Sequence, residues 1–305
     1  MKRFCVFIQF VLCIFIAQSG FSQQNPSPMQ EHSRTHLRVP DRHYTGVHYV
    51  LHQPISRPVE VFIPLSSLDS TALNFVIHFH GAAYLVEHAA EQYQHPVLSA
   101  SISLGSGSAV YSREFTDIST FFTLLDSLKI SASRMTHHPV QIRKVILSGW
   151  SAGYGAIRAI INTPAGYERI DQILLLDGIH AGYVPDGKVL YEGGKIDSLD
   201  LDPFLQLAKD ASLSGSDKTF LITHSEIFPG TFVSTTESTD FLLEHLGMSR
   251  TPVLRWGPVG MQQTSVASRG HFAVWGFAGN SAPDHVDHLN GLGYFLNELN
   301  NLSHE

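Results

Sequence analysis

Apolar and polar residues alternate along the chain in blocks that change period, and the blocks locate the elements. Val47 to Leu51 and Val59 to Ile63 read as two strands joined by a proline-containing turn. Asn74 to His80 (NFVIHFH) is apolar apart from its first residue and its histidines, and it runs into Gly81-Ala82-Ala83. Val97 to Leu104 predicts a further strand, and Gln141 to Leu147 (QIRKVIL) predicts one that turns abruptly into a helix from Ala152. Gln172 to Leu176 (QILLL) and Thr219 to Thr223 (TFLIT) are short unbroken apolar runs, as expected of strands buried on both faces. Phe272 to Gly279 (FAVWGFAG) predicts the last strand. Helical spacing appears over 85–94, 120–128, 202–212, 235–246 and 284–300. An opening hairpin followed by alternating strands and helices predicts an α/β domain with a mostly parallel sheet of about eight strands. Residues 182–199 lie between two strands and are a candidate small cap.

The first residues follow a different rule. Lys2 and Arg3 precede a short apolar run from Cys5 to Ala17, broken only by Gln9, and Gly20 and Ser22 offer small residues for cleavage. This is the three-part pattern of a secretory signal peptide, predicted over 1–22. Residues 23–45, rich in Gln, Pro, Ser and His, predict a flexible leader, and 46–305 the folded domain. Both cysteines, Cys5 and Cys13, fall in the signal segment, so a mature chain has no disulfide, thiol nucleophile or zinc–thiolate site.

Composition narrows the partners. The chain of 305 residues is 43% hydrophobic and 15% charged, an ordinary globular balance that excludes a disordered or collagen-like protein. Its formal net charge is −7, and without Lys2 and Arg3 there remain 18 basic residues against 27 acidic. With no Lys/Arg-rich run, nucleic acid is not an expected partner. Neither is an anionic membrane once the signal is cleaved, which leaves a secreted or periplasmic location as the expectation.

The strongest motif is Gly149-Trp150-Ser151-Ala152-Gly153, a G-x-S-x-G at the end of a predicted strand and the start of a predicted helix. A nucleophile on so sharp a turn needs neighbours without Cβ, and the following helix start points free N–H groups at the place where negative charge develops. Together with His80-Gly81-Ala82-Ala83 after an earlier strand, and the strand order around both, the chain resembles the α/β-hydrolase family over most of its mature length. The resemblance implies a serine hydrolase acting on a carboxylic ester, or an amide, that is small or polymer-linked, with no organic cofactor. Ser151 would be the nucleophile, and the N–H groups of Ala152 and Ala82 would hold the oxyanion. The segment is HGAA rather than the all-glycine form of that loop, which leaves the second donor open.

A serine hydroxyl needs an imidazole base, and the imidazole needs a carboxylate. The family order places the base late in the chain, where His285, His271 and His288 are the candidates. His285 is favoured because it opens the last helix after the last strand. For the acid, Asp177 follows QILLL directly and Glu226 follows the next strand, the position that the family usually gives its acid; either would serve, and Asp177 is preferred for its shorter side chain and the glycine after it. Ser234-x-x-Glu237 reads as a helix cap instead. The 18 histidines also raise a metal-dependent hydrolase, with Asp284, His285, Asp287 and His288 clustered at a helix start. His78, His80, His180 and His224 fall near strand ends, but no specific ligand spacing is present, and no metal is assigned. The other alternative is a hydrolase-like fold that binds a ligand or glycan without catalysis.

Overall fold

The computed structural model describes residues 34–303. The signal segment and most of the leader lie outside the described residues. The chain divides into two units, Met1–Thr35 and His36–Glu305, and every element named here belongs to the second. The strands are β1 (Gly46–Leu51), β2 (Val59–Pro64), β3 (Ala72–Phe79), β4 (Val97–Ile102), β5 (Gln141–Trp150), β6 (Gln172–Leu176), β7 (Tyr183–Val184), β8 (Lys195–Ile196), β9 (Thr219–His224), β10 (Thr251–Trp256), β11 (Gln262–Arg269) and β12 (Phe272–Phe277). The helices are α1 (Ala83–Gln92), α2 (Ser108–Glu114), α3 (Ile118–Met135), α4 (Tyr154–Ile161), α5 (Pro164–Arg169), α6 (Asp202–Ala211), α7 (Thr235–His245), α8 (Ala282–Asn290) and α9 (Leu292–Leu302).

Ten strands form one sheet in the order β1-β2-β4-β3-β5-β6-β9-β12-β11-β10. The six central strands, β4 to β12, run parallel. The hairpins β1–β2 and β10–β11 close the two edges antiparallel. The sheet is therefore larger and more mixed than the eight strands expected. The two additions are β10 and β11, whose sequences TPVLRW and QQTSVASR are polar or exposed and carry no buried run. Likewise the helix expected over 284–300 is two helices, α8 and α9, broken at Gly291.

The unbroken apolar runs of the central strands supply both layers of the core, because alternate side chains leave opposite faces of a strand. Phe75, Ile77, Val145, Leu147, Ile173, Leu175, Phe220 and Ile222 enter one layer with Leu124 and Leu128 of α3, Ile157 of α4 and Phe204 of α6. Val76, Ile146, Leu174 and Leu221 enter the other with Val86 and Ala89 of α1 and Phe295 and Leu299 of α9. The 182–199 segment folds as the β7–β8 hairpin and a short turn of helix. It is anchored by Tyr183, whose hydroxyl donates to Glu237 at 2.8 Å.

The described end of the expected leader has no regular element up to Tyr44, yet from His36 on it is held against α8. Arg38 and His36 both pair with buried Asp287, the Val39 N–H donates to Asn290 at 2.9 Å, and Tyr44 is buried.

Three imidazoles, those of His78, His224 and His288, are fully buried, and desolvation holds each down to about 4. An unfolded chain protonates these groups near their ordinary 6.5, so between that value and about 4 the folded state binds fewer protons. Stability contributed by the neutral imidazoles is complete above the unfolded value and is lost as pH falls through this window. Thermal unfolding should therefore show a Tm several degrees lower at about pH 5 than at about pH 7.5; equal midpoints would contradict this reading of the buried histidines.

Candidate active site

The chain leaves β5 at Trp150 and enters a single 3-10 turn, Ser151–Gly153, that runs on into α4. Ser151 has φ of +49°, a left-handed conformation that costs a residue with a Cβ on the order of 1 kcal/mol or more. The neighbouring backbones explain how the turn is packed. A Cβ on Gly153 would lie 2.1 Å from the carbonyl oxygen of Phe79, at the end of β3. A Cβ on Gly178, just past β6, would lie 2.4 Å from the carbonyl oxygen of Ser151 and 2.6 Å from its nitrogen. Since β3 and β6 flank β5, glycines let the chain on both sides close onto the elbow. This also places the serine at the carboxyl ends of the parallel strands, where α/β sheets put their sites.

Asp177 leaves β6 and is itself left-handed, with φ of +43°. Its carboxylate is 4% exposed, and every oxygen is engaged. Oδ1 accepts the Ser225 N–H at 2.9 Å, and Oδ2 accepts the Ser225 hydroxyl at 2.6 Å and His285 Nδ1–H at 2.7 Å. Burial alone would push the carboxyl up. The imidazoles of His288 and His285 and the Ser225 hydroxyl outweigh it and hold the group well below the usual carboxylate range. An ionised carboxylate accepts only, so the proton of neutral His285 resides on Nδ1 and its Nε2 carries the lone pair.

His285 is in the first turn of α8, which begins with a reciprocal cap between Ser281 and Asp284 and with Pro283. Trp150, the residue before the serine, donates its indole N–H to the carbonyl oxygen of His285 at 3.0 Å and packs its ring 4.7 Å from the imidazole. The elbow and the helix carrying the histidine are thus tied directly. Of the two hydrogen bonds a serine relay needs, the His285–Asp177 bond is formed; a bond from Ser151 Oγ to His285 is not among those the structure makes. In sites without substrate that second bond is commonly long and tightens on binding.

The remaining candidates separate by position. Glu226 is exposed, and its carboxylate and backbone clamp Gly279 in the loop that leads to α8, at 3.2 and 2.8 Å. His271 precedes β12 and bonds through its backbone to Ala211 and Phe220, at the amino end of the strand and away from Ser151. His288, one turn beyond His285, is buried with Nδ1 2.8 Å from the Thr223 hydroxyl. Ala82 is the cap residue of α1 and Ala152 lies in the 3-10 turn, so both are at helical starts, where backbone N–H groups lack a helical acceptor. The Ala82 loop is pinned by His78, whose Nε2 donates to the His80 carbonyl oxygen at 2.9 Å and whose Nδ1 meets the Ser148 hydroxyl at 3.1 Å.

The cluster at the start of α8 disperses into separate duties. Asp284 caps the helix, His285 turns to Asp177, His288 turns to Thr223, and Asp287 pairs with Arg38 and His36. His36, Asp284 and Asp287 do bring ligand atoms within 4.8 Å of one another, but the Arg38 guanidinium already neutralises Asp287. Ser225 and the tie through Trp150 were not foreseen; their partners are 48 and 135 residues away in sequence, and no local pattern marks them.

No protein-family model matches the chain, and no curated protein does. Among solved structures it is similar to the enterobactin esterase from Shigella flexneri (13% identity, TM-score 0.46), over 86% of this chain but only 60% of that one. It is also similar to an arylesterase (11%, 0.47, 86% and 87% of the two chains). A third is carboxyl esterase 2 from the mycorrhizal fungus Tuber melanosporum (13%, 0.45, 90% and 94%). These likenesses are distant, and the functional reading rests on the residues of the site.

Proposed function

We propose that the protein is a serine hydrolase of the α/β-hydrolase type that cleaves carboxylic esters, acting outside the cytoplasm after removal of residues 1–22. The observation that carries this reading is the 2.7 Å bond between His285 Nδ1 and buried Asp177, joined through Trp150 to an elbow that holds Ser151 left-handed. The parts are those that acyl transfer needs: a serine after β5, a carboxylate after β6 and an imidazole in the first turn of α8.

In this reading His285 Nε2, left as the acceptor by its partner Asp177, takes the Ser151 proton as Oγ attacks the ester carbonyl. The Ala152 and Ala82 N–H groups face the developing oxyanion, where fixed donors stabilise charge without reorganising. His285 then returns the proton to the leaving alcohol, giving an acyl-serine, and activates a water to hydrolyse it. Asp177 stays ionised throughout, since its carboxyl is held far below neutral pH, and it stabilises the imidazolium that forms.

Treatment of the protein with a fluorophosphonate, read by intact mass, should give a single adduct that is missing from Ser151→Ala. No adduct on the wild type, or an adduct that persists in the variant, would overturn the proposal. Asp177→Asn should lower kcat on short-chain esters on the order of ten-thousandfold, whereas Glu226→Gln should stay within severalfold of wild type. Steady-state kinetics showing the reverse order would transfer the acid to Glu226.

A further inference from the structure

Two histidines packed against the elbow take no part in the steps above, and their hydrogen bonds fix which ring nitrogen holds the proton. His80 follows β3, and His180 lies three residues past Asp177 in the loop after β6. β3 and β6 border β5 on either side, so the two residues leave strands that flank the one ending at the elbow, and their rings pack on Trp150 and Tyr154, the residues on either side of the Ser151–Gly153 turn. The His80 ring stacks flat on Trp150, 5.1 Å between centroids and 11° between planes. The His180 ring stands edge-on between Tyr154 and Phe232, at 5.4 and 4.9 Å. Both residues are partly open to solvent.

For His80 the partner is the Tyr111 hydroxyl, 2.8 Å from Nδ1. Tyr111 is fully buried, and its oxygen accepts the Leu104 N–H at 3.1 Å, with Ser103 and the Gly105 amide also turned toward it. The oxygen is supplied with donors, so the phenol's own proton goes to His80 Nδ1. Neutral His80 then carries its proton on Nε2 and is a donor. For His180 the logic reverses. Its Nδ1 lies 2.9 Å from the Val233 carbonyl oxygen, which can only accept, so Nδ1 holds the proton and Nε2 is an acceptor. Among the described residues neither Nε2 has a hydrogen-bond partner in the structure.

We infer that His80 and His180 are a donor and an acceptor for substrate, packed on the residues either side of the Ser151–Gly153 turn, and that they select an uncharged ester with free hydroxyl groups next to the scissile bond. A hydroxyl both gives and receives a hydrogen bond, so a polyhydroxy ester satisfies the pair. A plain alkyl ester would strip water from both nitrogens and return nothing, and a site built around such bonds discriminates against substrates lacking them. The environment also favours neutral partners: burial holds both imidazoles below their ordinary range, with the nearby His285 acting in the same direction. Dipoles rather than charges therefore face the substrate.

This inference rests on the serine-hydrolase reading, and its test separates the two. The wild type is first labelled with fluorophosphonate; failure at that step removes the parent reading. With labelling established, kcat/KM is compared for glycerol 1-monobutyrate and its di-O-methyl ether, which have the same acyl group and the same ester. The wild type should prefer the free diol by about tenfold or more, the worth of a single hydrogen bond at the upper end of its range. His80→Phe and His180→Phe should each reduce that ratio several-fold, and His80→Gln, which keeps a side-chain N–H, should retain most of it. In parallel, 15N NMR of the imidazoles at about pH 7.5 should show the proton on Nε2 of His80 and on Nδ1 of His180, a reading that needs no variant to fold. Normal labelling together with no preference for the diol, or with the opposite tautomers, would overturn the inference and leave the serine-hydrolase reading in place.

Discussion

The left-handed turn at Ser151 is held in place by its neighbours. Left alone, a serine at φ of +49° would relax, because its Cβ crowds the backbone. It persists because the chain presses on it from both sides, with Gly153 against Phe79 and Gly178 against Ser151 itself. The parallel sheet makes that pressure possible. Its apolar strands are buried on both faces and fixed in register, so the ends of β3, β5 and β6 arrive at the same level. The strain at the serine is thus carried by the whole two-sided core, far more apolar contact than one unfavourable φ requires.

The same geometry brings the polar groups together. Gly178, which makes the close approach to Ser151, directly follows Asp177. The residue that lets β6 approach the elbow therefore also sets the carboxylate in place, and Ser225 from the end of β9 fills two of its lone pairs. His285 comes from the start of α8, a helix whose position is fixed by its cap, by the clamp between Glu226 and Gly279, and by the strap of residues from His36 to Val39. Each of these supports is polar, and the clamp and the strap are long-range. Together they hold an imidazole between Trp150 and Asp177 with its proton on Nδ1. The tautomer is set by the structure before any substrate arrives.

How much of this could be read in the sequence depends on the range of the forces involved. The central strands were legible because burial on both faces demands unbroken apolar runs, and the elbow because close backbone approach demands glycine. β10 and β11 were not, since an exposed edge hairpin carries no hydrophobic signature. The break at Gly291 was hidden because the helical spacing of Leu289, Leu292, Leu296 and Leu299 runs straight across it. Ser151, His285 and Asp177 could be named as candidates from their places after strands, but the choice of Asp177 over Glu226 turned on which carboxylate reaches the imidazole. That is decided by packing between segments 108 residues apart. Residues whose partners lie tens of residues away or more, such as Ser225, Trp150 and Tyr111, leave no local trace at all.

The assembly of serine, histidine and acid into one working unit is tested most directly by the crystal structure of the protein after reaction with a dialkyl fluorophosphonate. Phosphorus should be bonded to Ser151 Oγ, with the phosphoryl oxygen within hydrogen-bond distance of the Ala152 and Ala82 N–H groups and the His285–Asp177 bond intact. Phosphorus on any other residue, or a phosphoryl oxygen turned away from both amides, would contradict the assembly described here.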